Sequence, residues 1–136
     1  MSELFKSITG LERGLDASWK RNSTILDNIA NVDTPNFKSS KVEFESLYKK
    51  ALDAEASGFT LKRTRKTHMD IGDPDIGNVF GRVVDRENTT MRMDGNNVDI
   101  DEEMSDFVKN VIYYTALTNK VTGQFAQLRM AIREGR

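Results

Sequence analysis

Cysteine is absent from this 136-residue chain, and histidine occurs once, at His68. Those absences exclude a disulfide framework, a thiolate zinc site, an iron–sulfur cluster, a cysteine nucleophile and a histidine-rich metal centre. Neither sign of charge dominates. Twenty Lys and Arg oppose twenty-one Asp and Glu for a formal net charge of -1, so no global field draws the chain to nucleic acid or anionic lipid. Long apolar runs are missing as well, since none approaches the ~18 residues that a membrane span needs. The first residues, Met1-Ser2-Glu3-Leu4-Phe5-Lys6, lack a cationic leader. The expectation is a chain with no cleavable signal and no membrane helix, whose export would use a route that does not read such a peptide. What remains is one domain, or one domain with an appendage, in which 38% hydrophobic residues suffice for a modest core.

The punctuating residues crowd into the middle. Pro35, Pro74, Gly58, Gly72, Gly77, Gly81 and Gly95 all fall between positions 35 and 95, which marks that stretch as irregular and the ends as regular. In the N-terminal third, Leu4, Ile8, Leu11, Leu15, Ser18, Asn22, Ile25 and Ile29 recur in alternating steps of four and three, a heptad seam. Trp19 and Leu26 widen it on one flank. Ser2 is placed to cap the start, and Asn31 with Pro35 to stop it. Gly10 and Gly14 each cost about 1 kcal/mol of helix propensity relative to Ala, so packing has to hold this helix.

The C-terminal third repeats the arithmetic with Phe107, Val111, Tyr114, Thr118, Val121, Phe125, Leu128 and Ile132. Val108, Ile112, Leu117 and Ala131 broaden that face toward more than one neighbour. Asp99 is placed as the N-cap with Glu102 three residues on, and Asp101, Glu102 and Glu103 complement the helix dipole. Both terminal helices would run roughly 40 Å at about 1.5 Å per residue. The expected fold is therefore mainly α: long N- and C-terminal helices pairing as an antiparallel coiled coil, with a shorter middle helix and an irregular or small β segment between them. The domain division is 1-34 with 97-136 as the terminal-helix assembly domain, and 35-96 as the middle segment. Within the latter, a helix is expected over about 42-56 through Phe44, Leu47, Tyr48, Ala51 and Leu52. Short strands over 79-84 and 89-93 are expected to pair through Asp85-Arg86-Glu87-Asn88.

Four places in the chain invite a chemical reading. The acidic run from Asp94 to Glu103 fails as a calcium loop. With Asp94 as the first ligand, Asp99 stands where glycine is required and Ser105 where glutamate is; a turn followed by a helix cap is the better reading. His68 lies near Asp70 and Asp73 but has no Ser or Cys in a nucleophile motif, and reads as a surface or interface histidine. Gly72, Gly77 and Gly81 match neither the dinucleotide nor the P-loop spacing. Lys62-Arg63-Thr64-Arg65-Lys66 has four cations in five residues yet no aromatic platform, and reads as an exposed loop or a charge-matched protein contact. No catalytic, cofactor or metal residue is assigned, and the chain is not expected to be an enzyme. The seams, too long and flat to close on themselves and interrupted by Ser18, Asn22 and Thr118, suit an assembly subunit whose polar positions fix register and partner number.

The sharpest local signal follows the first helix: Asn28-Ile29-Ala30-Asn31-Val32-Asp33-Thr34-Pro35-Asn36-Phe37-Lys38. It resembles the Asn-Ile-Ala-Asn-x-x-Thr-Pro-Gly-Tyr signature of bacterial flagellar rod and hook proteins. Asn36 replaces the usual Gly and tolerates left-handed backbone; Phe37 keeps the ring of the usual Tyr. A second match runs from Gly95 to Met104, where the C-terminal helix opens, and continues through Tyr113 to Thr118 and Leu128 to Gly135. With Val42 to Leu47, Thr67 and His68, it is most similar to the short proximal members of the basal-body rod family. Residues 53-66 and 71-92 carry little of the resemblance.

The resemblance implies a structural axial subunit of the proximal rod, part of the drive shaft that crosses the periplasm, exported unfolded through the flagellar type III apparatus. Its partners would be further copies of itself, other rod proteins, and the inner-membrane ring and export gate, with no nucleic acid, membrane span or small-molecule substrate. Alternatives are another rod subunit or a soluble helical-hairpin adaptor. On this reading the assembly interface comprises Leu4, Ile8, Leu11, Leu15, Ile25, Ile29, Phe107, Val111, Tyr114, Val121, Phe125, Leu128 and Ile132. The signature turn comprises Asn28, Ala30, Asn31, Thr34, Pro35 and Phe37.

Overall fold

The computed structural model describes residues 2–57, 77, 79–86 and 92–134, with side chains described from residue 7 to 53 and, in the later stretches, up to 133. His68 and the 62–66 run lie outside the described residues, as does the side chain of Leu4. The element order is α1 (Ser2–Ala30), β1 (Ser40–Glu43), α2 (Glu45–Ser57), β2 (Arg82–Asp85) and α3 (Ile100–Glu134). The chain is mainly helical, with two long terminal helices and one two-stranded sheet. No described helix is long and apolar enough to cross a membrane.

Helix α1 ends where its sequence stops supplying helical partners. The Asn31 N–H still reaches the Asp27 and Asn28 carbonyls, and its side-chain amide donates back to the Asp27 carbonyl at 2.8 Å. Helix α3 starts on the expected cap: one Asp99 side-chain oxygen accepts from the N–H groups of Asp101 at 3.0 Å and Glu102 at 3.3 Å. Glu102 does not complete a capping box. Its carboxylate turns instead to Arg86, 3.4 Å away.

Two expectations for the middle segment are corrected. The middle helix begins at Glu45, not near residue 42, because Val42 and Glu43 belong to a strand that pairs antiparallel with β2 in the register Ser40 to Asp85, Lys41 to Val84, Val42 to Val83 and Glu43 to Arg82. Only Val42 of β1 is buried, at 2% exposure, and it is held against α1, whose Arg21 donates to its carbonyl. The second correction concerns β2, whose partner is β1. Of the stretch 89–93 expected in that place, 89–91 lie outside the described residues, and Arg92 and Met93 open a turn in which the Gly95 N–H reaches the Arg92 carbonyl. The β1–β2 pairing joins strands about forty residues apart and buries Val42 against α1.

The core sits where α1 meets β1 on one side and α3 on the other. Ala17, Ile25, Val42, Phe44, Ala51 and Val98 are its apolar members, and Phe44 stacks on Tyr48 with ring centroids 5.4 Å apart. Contacts between α1 and α3 fall in residue number on one helix as they rise on the other: Ser7 meets Gln124, Gly14 meets Leu117, Ser18 meets Asn110 and Asn28 meets Glu103.

Candidate functional site

The signature turn and the segment opening α3 form one hydrogen-bonded clasp. The Asn96 side-chain amide donates to the carbonyls of Asn31 and Val32 at 3.0 Å and Thr34 at 2.9 Å, all in the turn that follows α1. Its Oδ1 accepts from the Val98 N–H at 2.7 Å. Asn97 does the same for the sheet, accepting from the Ser39 N–H at 2.7 Å and donating to the Arg86 carbonyl at 2.6 Å. Lys38 reaches the Gly95 carbonyl, and Arg92 reaches the Val32 carbonyl and Asp33. Asn36 and Gly95 both have positive φ, +61° and +81°, and lie against one another. An added Cβ on Gly95 would stand 2.7 Å from Asn36 Oδ1.

Asn28 is the pivot between clasp and helices. Almost fully buried, it donates to the Ser40 carbonyl at 2.8 Å, accepts from the Ser40 N–H at 3.0 Å, and hydrogen-bonds Glu103. Of the remaining signature residues, Asn31 accepts from the Thr34 hydroxyl at 3.1 Å, Phe37 is half-buried, and Ala30, Thr34 and Pro35 are exposed. Glu103 was expected only to complement the helix dipole. It is in fact buried, and desolvation pushes its carboxyl above the usual range, partly offset by Asn28 and the Arg86 charge. At Glu45 burial alone would raise the carboxyl, but the Arg21 guanidinium, 2.7 Å from both oxygens, and nearby backbone donors bring it below the usual range.

The contact line between α1 and α3 is built from small and polar residues more than from leucines. Ser18 Oγ donates to Asn110 Oδ1 at 3.0 Å, and Asn110 Nδ2 donates to the Ser18 carbonyl at 2.9 Å, both residues being buried. Gly14 lets the helices approach, since a Cβ there would stand 3.3 Å from Leu117. Sequence reasoning flagged Ser18 as a polar interruption but missed Asn110, Glu103, Asn96 and Asn97 as its counterparts. Their polarity marks them as surface residues until a partner far away in sequence is known.

Much of the apolar seam read from the sequence faces outward. On α3, Val111, Tyr114, Phe125 and Ile132 are exposed, while Phe107, Val121 and Leu128 are half-buried. On α1, Ile8, Leu11, Leu15 and Ile29 are half-buried, Ile25 is buried inside the chain itself, and Trp19 and Leu26 stand out at 70% and 48% exposure. At 100° per residue, Ile8, Leu15, Trp19 and Leu26 lie on the flank of α1 away from α2. Val111, Phe125 and Ile132 lie on the same side of α3. Apolar side chains of both seams are thus left exposed along the two helices.

Among the described residues no cluster of acidic or histidine side chains could hold a metal ion. A paired-helix stem with a polar clasp at one end and exposed apolar residues along its length is the geometry of an assembly subunit. Comparison with known proteins identifies the particular class. The chain is 35% identical to the flagellar basal body rod protein FlgB of Bacillus subtilis (strain 168) over 136 residues, covering all of both chains. It is 38% identical to that of Borrelia hermsii over 131 residues, 93% of this chain and 96% of the relative. It is 24% identical to that of Escherichia coli (strain K12) over 129 residues, 91% of each. No family model matches the chain. The chain belongs to the FlgB family of flagellar basal body rod proteins, and is a structural subunit, not an enzyme.

Proposed function

We propose that this chain is a proximal axial subunit of the flagellar rod, which α1 and α3, paired as an antiparallel coiled coil, build by packing their open apolar face against neighbouring subunits. The observation that carries this reading is the exposure of Val111, Tyr114, Phe125 and Ile132 on the same side of the helix pair as Trp19 and Leu26. Burying that face supplies stability that the isolated stem lacks, because a helix pair joined through serine, glycine and asparagine forgoes apolar burial of its own. The neighbours are further copies of this chain, other rod proteins, and the inner-membrane ring and export gate. The rod crosses the periplasm, and the subunit reaches it unfolded through the flagellar export apparatus.

The assembly interface comprises the exposed and half-buried members of the two seams, with Leu4 at the far end and Ile25 acting from inside to hold α1 in place. Asn28, Ala30, Asn31, Thr34, Pro35 and Phe37 set the turn that directs the chain from α1 into the sheet. Residues 1-34 and 97-136 act as the assembly domain, carried by the middle segment 35-96. Electron microscopy of basal bodies from a strain deleted for this chain, beside the complemented strain, tests the proposal. Rings without a rod, hook or filament are expected; intact basal bodies would sink it.

A further inference from the structure

On the opposite side of the helix pair from the open apolar face, α1, α2 and α3 enclose a groove of about 430 Å3. Gly10, Gly14 and Leu11 form its floor, Phe44, Tyr48 and Leu52 one wall, and Tyr113 and Leu117 the other. That is the size and apolar character of a small-ligand pocket. Its rim is basic: Lys49 and Lys120 line it, both exposed, with no ion-pair partner among the described residues. Glu45, the acid beside them, is already engaged by Arg21.

Across the molecule stands a complementary feature. Trp19, the only tryptophan of the chain, is 70% exposed on α1. Glu12 and Asp16 precede it in steps of four and three, so acid, acid and indole share one edge of the helix. Among the described residues Asp16 has a single exposed pairing, with Arg13 at 3.5 Å. We infer that the Trp19 edge of one copy of this chain docks in the α1–α2–α3 groove of the next, the indole filling the groove and Glu12 and Asp16 facing Lys49 and Lys120. The inference rests on the proposed assembly role and adds to it a specific contact between identical chains.

The physical grounds are size, sign and direction. An indole is a side chain that anchors protein interfaces when it enters an apolar pocket ringed by polar groups. Its N–H needs an acceptor once buried, and the Tyr48 hydroxyl and the Glu45 carboxylate line the groove. Edge and groove lie on opposite flanks of α1, so a joined pair leaves one edge and one groove unused. Such head-to-tail contacts propagate into rings or open helical arrays and do not stop at a dimer.

The lone tryptophan makes the test direct. Emission of the purified full-length chain is followed with concentration alongside sedimentation, and a blue shift is expected to accompany the rise in mass. Lys49→Glu with Lys120→Glu is expected to weaken association at least about tenfold and restore the red emission of the dilute chain. Adding Glu12→Lys and Asp16→Lys to those reversals is expected to recover both signals, with far-UV circular dichroism confirming that each variant is folded. Association that leaves the emission maximum unmoved overturns the inference, as does association indifferent to the charge reversals, or a wild-type chain still monomeric at millimolar concentration. A deletion strain that lacks rods while emission stays red would leave the proposed function standing and remove this contact.

Discussion

The side-chain amide of Asn96 lies over the end of α1, 3.0 Å from the carbonyl of Asn31, although 65 residues separate the two in the chain. One amide from the opening of the last helix therefore closes the first. Replacing Asn96 by Ala leaves the carbonyls of Asn31, Val32 and Thr34 without this donor and the Val98 N–H without its acceptor. A loss of about 2–3 kcal/mol is expected, read as a lower midpoint in urea unfolding of the purified chain. An unchanged midpoint would show that water replaces the amide at no cost.

Gly95 and Asn36 make an asymmetric pair of predictions. Both have positive φ, so Asn36→Gly should change stability by less than about 1 kcal/mol, the left-handed backbone being retained. Gly95→Ala should cost about 1–3 kcal/mol, since strained backbone adds to a Cβ only 2.7 Å from Asn36 Oδ1. Thermal melts of the two variants check the contrast.

Glu103 gives a pH dependence whose sign is fixed by burial. Its carboxyl ionises above the ordinary value of 4.5 in the folded chain, so the folded state favours the protonated form, and the ionised group costs stability at neutral pH. Glu103→Gln is expected to melt higher than the parent at pH 7. The gap should narrow as the pH falls through the raised ionisation range and settle below 4.5, where the acid is protonated in folded and unfolded chains alike. A gap that widens on acidification would reverse the assignment.

The open face predicts a separation of stability from assembly. Val111→Glu and Phe125→Glu alter residues that are 45% and 48% exposed, so each should shift the melting of the purified chain by less than about 0.5 kcal/mol. In cells the same variants should fail to complete rods and swim plates should show no halo. Normal halos from both would remove these two residues from the interface.

The two long helices were legible because each carries a four-three apolar rhythm, interrupted only at Ser18, Asn22 and Thr118, and, at α3, an aspartate in the cap position. The sheet was not. Ser40-Lys41-Val42-Glu43 has one apolar residue, and nothing local tells a strand from the start of a helix. Its identity comes from β2, from the buried Val42 and from the Arg21 and Asn28 side chains that hold its backbone. The signature turn was visible as a pattern, but its counterpart in Asn96 and Asn97 was not, since an amide looks the same in sequence whether it faces water or three carbonyls. For the same reason the helix contact line was misplaced. The eye follows leucines, while α1 and α3 touch through Ser18, Asn110 and Gly14 and leave much of the apolar seam exposed.

Both long helices leave the clasp in the same direction, and Ser7 and Gln124 meet near their far ends. The stem is therefore a lever with its fulcrum at one pole. Asn28 and Asn97 tie that pole to Ser39, Ser40 and Arg86, and Asn96 ties it to the turn after α1. Any twist of the helix pair against the sheet therefore has to bend the hydrogen bonds of three asparagines at its base.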